Sequence, residues 1–432
     1  MKILRRNLFR AAATAGAGFA ARAVLRGGAD ALAAQESPAP LPPAFDALKP
    51  LGDRVKPITV AEFQGRIAHA QELMNAAAPK FDALYITPGT TLRYFTGIRW
   101  GLSERIVALL ISGKDEPLIV CPAFEERRLR EQLRWPIEVR VWQEDASPYS
   151  LAANWLGERG YRTGRVGIEE TTRFVFFDAL RHAAPQLDYL SGDQITHTCR
   201  AQKSEHELEL MRLACQATFD VYKATFASLR EGMRQSEIGE LVARGYQRMG
   251  LEGEAFSLFG PAAAFPHGTH ENRALREGDG VLIDDGCTVE GYQSDVTRTG
   301  VYGKPGEKLR RAFEVVRKAQ DAALAAAVAG RPCGSVDDAA RKVIVDAGFG
   351  PGYKYFSHRL GHGIGMDGHE WPYLVRRNSV TLAPRMTFSN EPGIYAPGDY
   401  GLRCEDDMVI AESGEAHLLT PGFQPSLETP VA

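Results

Sequence analysis

Four carboxylates and one imidazole in the second half of the 432-residue chain stand where side chains could share a cation. Asp284 ends the apolar run Val281-Leu282-Ile283 and is followed by Asp285-Gly286. Asp295 comes eleven residues later, in Tyr292-Gln293-Ser294-Asp295-Val296-Thr297-Arg298. Gly286 and Gly291 permit a hairpin between them, which would set the two aspartates side by side. Glu391, in Ser389-Asn390-Glu391-Pro392-Gly393, and Glu405, in Arg403-Cys404-Glu405-Asp406-Asp407, are fourteen residues apart on what reads as a second hairpin. Between the pairs lies His362, on the glycine-rich turn Gly361-His362-Gly363-Ile364-Gly365. Four carboxylates brought together without cations repel one another at high cost. Two divalent ions balance their charge, and a neutral histidine adds a ligand. Oxygen donors with one imidazole suit Mn²⁺ first, with Co²⁺ or Zn²⁺ as alternatives. Two such ions about 3.5–4 Å apart can lower the pKa of a shared water and polarise a carbonyl.

In this order the five residues resemble the metal ligands of the pita-bread hydrolases, the family of prolidase, aminopeptidase P, methionine aminopeptidase and creatinase. Asp284, Asp295, His362, Glu391 and Glu405 match its Asp, Asp, His, Glu, Glu pattern one by one. His267 in Phe265-Pro266-His267-Gly268 resembles the family histidine that binds substrate or steadies the reacting carbonyl. His358, four residues before His362, and His369, seven after it, resemble histidines of the prolidase branch. Tyr395 and Arg403 also fit the pattern. The resemblance is strong over 200–425. In outline it extends to 58–196, like the extra N-terminal domain of prolidases and aminopeptidases P; methionine aminopeptidases usually lack that domain. Creatinase-like members replace the ligands, whereas all five are present here.

The resemblance implies metal-dependent hydrolysis of Xaa-Pro bonds, with dipeptides or short peptides as substrates and a homodimer as the assembly. It makes Glu391 both ligand and proton acceptor, and His267 and His358 the groups that polarise the tetrahedral oxyanion. It places His267, His369, Tyr395 and Arg403 against substrate, where Arg403 orients a substrate carboxylate or steadies Glu405. Two alternatives stand beside it. One is another metal-dependent hydrolase or lyase on the same scaffold, since fold does not fix function. The other is a binding protein with a relict site, against which the complete ligand set argues. Asn390 and Arg385 depart from residues frequent in the family and could reshape the pocket.

Neighbouring residues have plainer readings. Strand alternation turns Asp285 and Asp406 to the face opposite the ligands. His206 reads as solvated on a charged helix face, and His69, His182, His197 and His417 as ordinary. His270 is close to His267, which remains the better candidate. Cys404 reads as a packed small residue, and the run Glu125-Glu126-Arg127-Arg128 as a solvated helix face.

Two regions position this chemistry. From Ile58 to Thr196, short apolar strands alternate with helices: 82–86, 106–111 and 118–120 read as strands, 60–77 and 125–133 as helices. That pattern predicts an α/β domain with a covered sheet. A capping box at Ser204 to Glu207 opens a helix. Three more are expected, from Ser236 to Gly250, Gly306 to Ala329 and Ser335 to Gly348. Strand pairs lie between and after them, at 280–284, 291–298, 385–391 and 401–410. The fold class is therefore α+β. By the resemblance it is a pita-bread fold with a curved antiparallel sheet over 197–425, behind a smaller creatinase-like α/β domain at 58–196.

The N-terminus carries Arg5-Arg6, an Ala/Gly-rich stretch over 11–21, and Ala31-Leu32-Ala33. It resembles a twin-arginine signal over 1–34, too short and interrupted to span a membrane. This predicts a bacterial periplasmic enzyme with no membrane contact after signal removal. The Pro/Ala-rich segment 35–57 reads as a linker. A net charge of −3 gives no sign of nucleic acid or anionic membrane as partner. The six cysteines form no CxxC pair and read as reduced, buried residues.

Overall fold

A computed structural model describes residues 39–431. The twin-arginine expectation lies outside them. Among the described residues, no helix is long and apolar enough to cross a membrane.

The N-terminal region is built on a six-stranded mixed sheet. Its spatial order is Glu138–Trp142, Leu118–Pro122, Ala108–Ser112, Ala83–Ile86, Arg165–Ile168 and Asp188–Ser191. The three most central strands outside the Arg165 pair are buried along their whole length, because helices cover both faces. Alternation divides their side chains. Leu84, Ile86, Leu109 and Ile111 face a core shared with helix Val60–Ala76. Tyr85, Leu110, Leu118 and Val120 face a second core with Trp155, Phe176 and Leu180 from helices Pro148–Glu158 and Phe174–Ala183. The expected helix over 125–133 is shorter, Glu126–Arg130.

Segment 35–57 is not a free linker where it is described. It forms the 3-10 turns Pro43–Ala47 and Gly52–Arg54, and it buries Phe45, Leu48 and Leu51 in the main core. Full burial of a side chain like Phe45 contributes about 1.5–3 kcal/mol, enough to hold a proline-rich strap down.

The second region carries the expected helices as Glu205–Phe226, Gln235–Arg248, Glu307–Ala326 and Cys333–Asp346. The Ser204 hydroxyl accepts from the Glu207 N–H, and the Glu207 carboxylate accepts from the Ser204 N–H, which closes the capping box. The strands between the helices are antiparallel. Phe256–Phe259, Gly280–Asp284 and Arg298–Val301 form one sheet. Glu370–Leu374, Gly361–Gly363, Thr387–Asn390, Asp406–Ile410 and Ala416–Leu418 form another. The hairpin Gly393–Ala396 with Tyr400–Arg403 completes the set that surrounds the site. All six cysteines are buried and unpaired.

Candidate metal centre

Asp284 and His362 lie in strands, and Asp295, Glu391 and Glu405 lie in the short connections just beyond strands. Asp284 is the last residue of its strand. At Gly286 a Cβ would lie 2.1 Å from the Ser294 carbonyl oxygen, so only glycine lets the chain fold back that tightly. Cys287–Val289 then pairs with Tyr292–Gln293 across Glu290-Gly291, both at positive φ, and the return strand delivers Asp295. Thr297 lies just beyond. Its hydroxyl contacts Asp284 Oδ1 and Glu405 Oε2, and it accepts a hydrogen bond from Arg403 Nε at 3.0 Å.

His362 lies in the strand Gly361–Gly363 rather than on a turn, because both neighbouring strands supply hydrogen-bond partners. A Cβ at Gly361 would meet the Ser389 carbonyl oxygen at 2.1 Å, so the glycine allows that approach. Nδ1 of His362 is 3.0 Å from the Gly363 carbonyl oxygen. That contact makes Nδ1 the donor and leaves the Nε2 lone pair free. Nε2 is 3.4 Å from Glu391 Oε1 and 3.6 Å from Asp295 Oδ2. Glu391 follows the strand Thr387–Asn390 and donates its N–H to Leu360. Glu405 donates its N–H to Thr297. Donor atoms of Asp284, Asp295 and Glu405 lie within 4.8 Å of one another, as do those of His362, Glu391 and Glu405, and of Asp295, His362 and His369.

These groups face a cavity of about 320 Å³, together with His267, His358, His369, Arg403 and Arg359. Its charge is poorly balanced by the protein alone. Burial, then Asp284 and other carboxylates, pushes Asp295 well above the usual carboxylate range. Burial, then Asp295 and Glu391, does the same to Glu405. Glu391 is pushed up to about 8 by burial and Asp284, against the pull of Arg403. Burial, with His369 beside it, holds His362 neutral. Anionic oxygens around one neutral imidazole nitrogen are the donor set expected of a site for two divalent cations. The residues present therefore fit such ions.

Four expectations change. Arg403 is only 1 % exposed, and its guanidinium is taken up by Asp284, Thr297, Tyr395 at 2.8 Å and the Pro266 carbonyl at 3.2 Å. It is 3.7 Å from Glu405, so it steadies the ligand cluster, and four of its five N–H donors are already engaged within the protein. Tyr395 stands behind the cavity wall, where its hydroxyl bridges Arg403 and His358 Nε2 at 2.7 Å. Both ring nitrogens of His358 are engaged, Nδ1 with the Arg359 carbonyl at 2.7 Å. Burial and Arg403 take its pKa down to about 3. Arg385 and Asn390 do not reach the cavity: Arg385 is on the surface against Glu412, and Asn390 donates to the Gln320 carbonyl.

His267 is exposed at the cavity, and no hydrogen bond to its ring is found among the described residues. His369 stacks on His362 at 3.7 Å, with Nδ1 3.2 Å from Arg359 Nη2. Burial and Arg359 lower its pKa. Arg359 was not singled out from the sequence, although it adjoins His358; its guanidinium also lies over the Tyr373 ring at 4.4 Å. Asp406 is fully buried against Arg298 at 2.6 Å, away from the ligands as expected. Asp407 accepts from the Asp295 N–H at 3.0 Å and so supports that ligand's backbone. His206 is not simply solvated: Glu62 holds Nδ1 at 2.7 Å and the Lys56 carbonyl lies 3.0 Å from Nε2.

A family model described as metallopeptidase family M24 matches residues 209–412, and one described as the creatinase/prolidase N-terminal domain matches 66–202. A probable dipeptidase, PepE, of Mycobacterium tuberculosis is 35% identical over 355 residues, which cover 80% of this chain and 93% of that protein. An Xaa-Pro dipeptidase of Lactobacillus delbrueckii is 35% identical, over 77% of this chain and 91% of its own length. The crystal structure of dipeptidase PepE from Mycobacterium ulcerans superposes with a TM-score of 0.78 at 32% identity, covering 85% of this chain and 98% of the other. Prolidase from Pyrococcus furiosus gives 0.69 at 27% identity, over 82% and 99%.

Proposed function

The chain belongs to metallopeptidase family M24, with the pita-bread fold behind a creatinase-like domain, and from that premise we propose that it hydrolyses Xaa-Pro dipeptides. The observation that carries the reading is the convergence of Asp284, Asp295, His362, Glu391 and Glu405 on one cavity. These five would hold two divalent ions, with Mn²⁺ the first choice. When bound, such ions supply a hydroxide nucleophile near neutral pH and polarise the scissile carbonyl.

The protein's own groups do the rest. Glu391 takes a proton on its carboxylate and passes it toward the leaving imino nitrogen. His267, whose ring is open to the cavity, donates to the developing oxyanion. His358 is 3.7 Å from Glu391 and is fixed by the Tyr395 hydroxyl and the Arg359 carbonyl, so it keeps a neutral imidazole beside the proton acceptor. Arg359 makes no ion pair among the described residues and lines the same cavity. A guanidinium there fits the free carboxylate of a two-residue substrate, which favours dipeptides over longer peptides.

Cleavage of Gly-Pro, Ala-Pro and Ala-Pro-Ala tests this, with metal removed and then Mn²⁺, Co²⁺ or Zn²⁺ returned. Metal-dependent cleavage of both dipeptides, ahead of the tripeptide, is expected. Folded, metal-loaded protein that cleaves none of them would sink the reading. Export by the twin-arginine route rests on Arg5-Arg6 and the Ala/Gly-rich stretch after them; fractionation that finds only unprocessed cytoplasmic protein would reject it. A homodimer is proposed from family resemblance and is checked by light scattering.

A further inference from the structure

We infer that the N-terminal domain shapes the M24 site from behind: Thr90 and Arg200 are positioning residues that hold the loop carrying His369 against His362 and Arg359. What the loop does for substrate rests on the dipeptidase reading above; the way it is held rests on contacts alone.

His369 lies in the connection between strands Gly361–Gly363 and Glu370–Leu374. Asp367 stands two residues before it and Glu370 directly after it. One buried guanidinium grips both: Arg200 Nη2 donates to Asp367 Oδ2 at 2.5 Å and to Glu370 Oε2 at 2.6 Å. The Thr90 hydroxyl, at the start of helix Thr90–Thr96, donates to the other Asp367 oxygen at 2.5 Å. Among the described residues, both partners of the Asp367 carboxylate therefore come from the segment matched by the creatinase/prolidase model, 167 and 277 residues away in the chain. Hydrogen bonds to an ionised carboxylate are short, strong and directional, so they can order a loop. Arg200 Nη1 also lies 3.3 Å from the Thr91 hydroxyl, which ties the grip to the same helix as Thr90.

The second region holds this connection only in part. Gln293 Nε2 donates to the Met366 carbonyl at 2.9 Å, and the Gly365 N–H to the Asp367 carbonyl at 3.1 Å. Strand pairing resumes at Glu370, opposite Gly363. Between these points the loop turns through Gly368, and the Asp367 carboxylate is its anchor. Its far side is the cavity wall. There the His369 ring stacks on His362 at 3.7 Å, and Nδ1 is 3.2 Å from Arg359 Nη2. A shift of about 1 Å in a group that orients substrate is enough to weaken it severely. Thr90 and Arg200 touch no substrate. They act through Asp367 on His369, and through His369 on the guanidinium assigned to the substrate carboxylate.

The metal-loaded full chain is compared with Asp367→Ala, Thr90→Val and Thr90→Ser, by hydrogen exchange over 364–370 and by kinetics on Gly-Pro. Asp367→Ala leaves Arg200 paired with Glu370, so the buried charge keeps its partner and the fold stands. Exchange in the loop should quicken in Asp367→Ala, less so in Thr90→Val, and return to the wild-type rate in Thr90→Ser. KM should rise about 2- to 10-fold in Thr90→Val, the worth of one hydrogen bond, and further in Asp367→Ala, with Thr90→Ser restoring it. The rate constant kcat should be nearly kept, because lost substrate binding raises KM alone. A merely structural loss would lower the active fraction, and so kcat, without moving KM. Equal exchange in wild type and Asp367→Ala would overturn the tie between domain and loop. Faster exchange with unchanged KM would overturn the positioning role. The exchange measurement needs no substrate, so it judges the tie even if wild type cleaves no Xaa-Pro peptide, a result that would strike the dipeptidase reading instead.

Discussion

Glu370 is a buried carboxylate of the second region and Glu391 a mostly buried one at the cavity, and the protein treats them in opposite ways. Glu370 accepts from Lys203 Nζ at 2.6 Å and from Arg200 Nη2 at 2.6 Å. Burial alone would raise its pKa, but Lys203 and Arg200 outweigh burial and hold it below the usual carboxylate range. At Glu391, burial and Asp284 outweigh the opposing pull of Arg403, Arg359 and the Ser389 hydroxyl, and it goes up to about 8. The protein supplies its own cations at the first site. At the second it leaves negative charge over. A structural carboxylate is neutralised in place, whereas a ligand carboxylate waits for an ion from outside.

The sharpest way to break this contrast is Glu391→Gln. Loss of a proton acceptor costs about 10²–10⁴-fold in rate, so kcat should fall by that much while the fold survives. Steady-state kinetics alongside far-UV circular dichroism checks it; turnover near wild type would remove Glu391 from its role.

Glu370→Gln tests the other side. It leaves Lys203 and Arg200 buried with one charge too few, a loss of about 3–5 kcal/mol when one partner of a buried pair is removed. Urea unfolding measures it. The pH dependence follows in sign. Because the folded pKa of Glu370 is depressed, its stabilisation is fully present above the unfolded value of about 4.3 and fades as pH falls through the folded value. The acid limb of the thermal midpoint should therefore be shallower in the variant.

Arg359→Met asks for less. Charge-assisted hydrogen bonds contribute about 1.5–3 kcal/mol, so KM for Gly-Pro should rise about 10- to 100-fold with kcat nearly kept. Ala-Pro-Ala, whose carboxylate lies one residue further on, should respond less. Equal losses on both substrates would argue against a carboxylate contact.

The ligands were legible because each sits in a short local pattern in or beside a strand. Gly286 and Gly361 are part of that legibility, since each marks a place where two backbones nearly touch. The occupation of Arg403 was hidden: its partners Asp284, Thr297 and Pro266 come from more than 100 residues away, and no local spacing records that. Arg359 was missed for a different reason. It stands in plain view beside His358, but that it lines the cavity without an ion pair among the described residues is recorded only in the assembled fold. Segment 35–57 was misread because proline content hid the apolar spacing of Phe45, Leu48 and Leu51. His206 was misread because its partners Glu62 and Lys56 belong to the other region.

That histidine supplies the mildest test, a charge pair between the two regions without full burial. Glu62 and the Lys56 carbonyl raise the pKa of His206 against an opposing burial effect. Its side chain is 21% exposed and that of Glu62 28%, so solvent screens the pair. A pair of this kind contributes within about 1 kcal/mol. The sign is the reverse of the Glu370 case. A raised histidine pKa gives stability that is whole below the unfolded value of about 6.5 and is lost as pH rises through the folded value. His206→Gln should therefore lower the thermal midpoint slightly at pH 5 and leave it unchanged at pH 9. A loss at pH 9 as large as at pH 5 would show that the ring acts by packing rather than by charge. The contrast between neutralised and waiting carboxylates would then belong to buried sites alone.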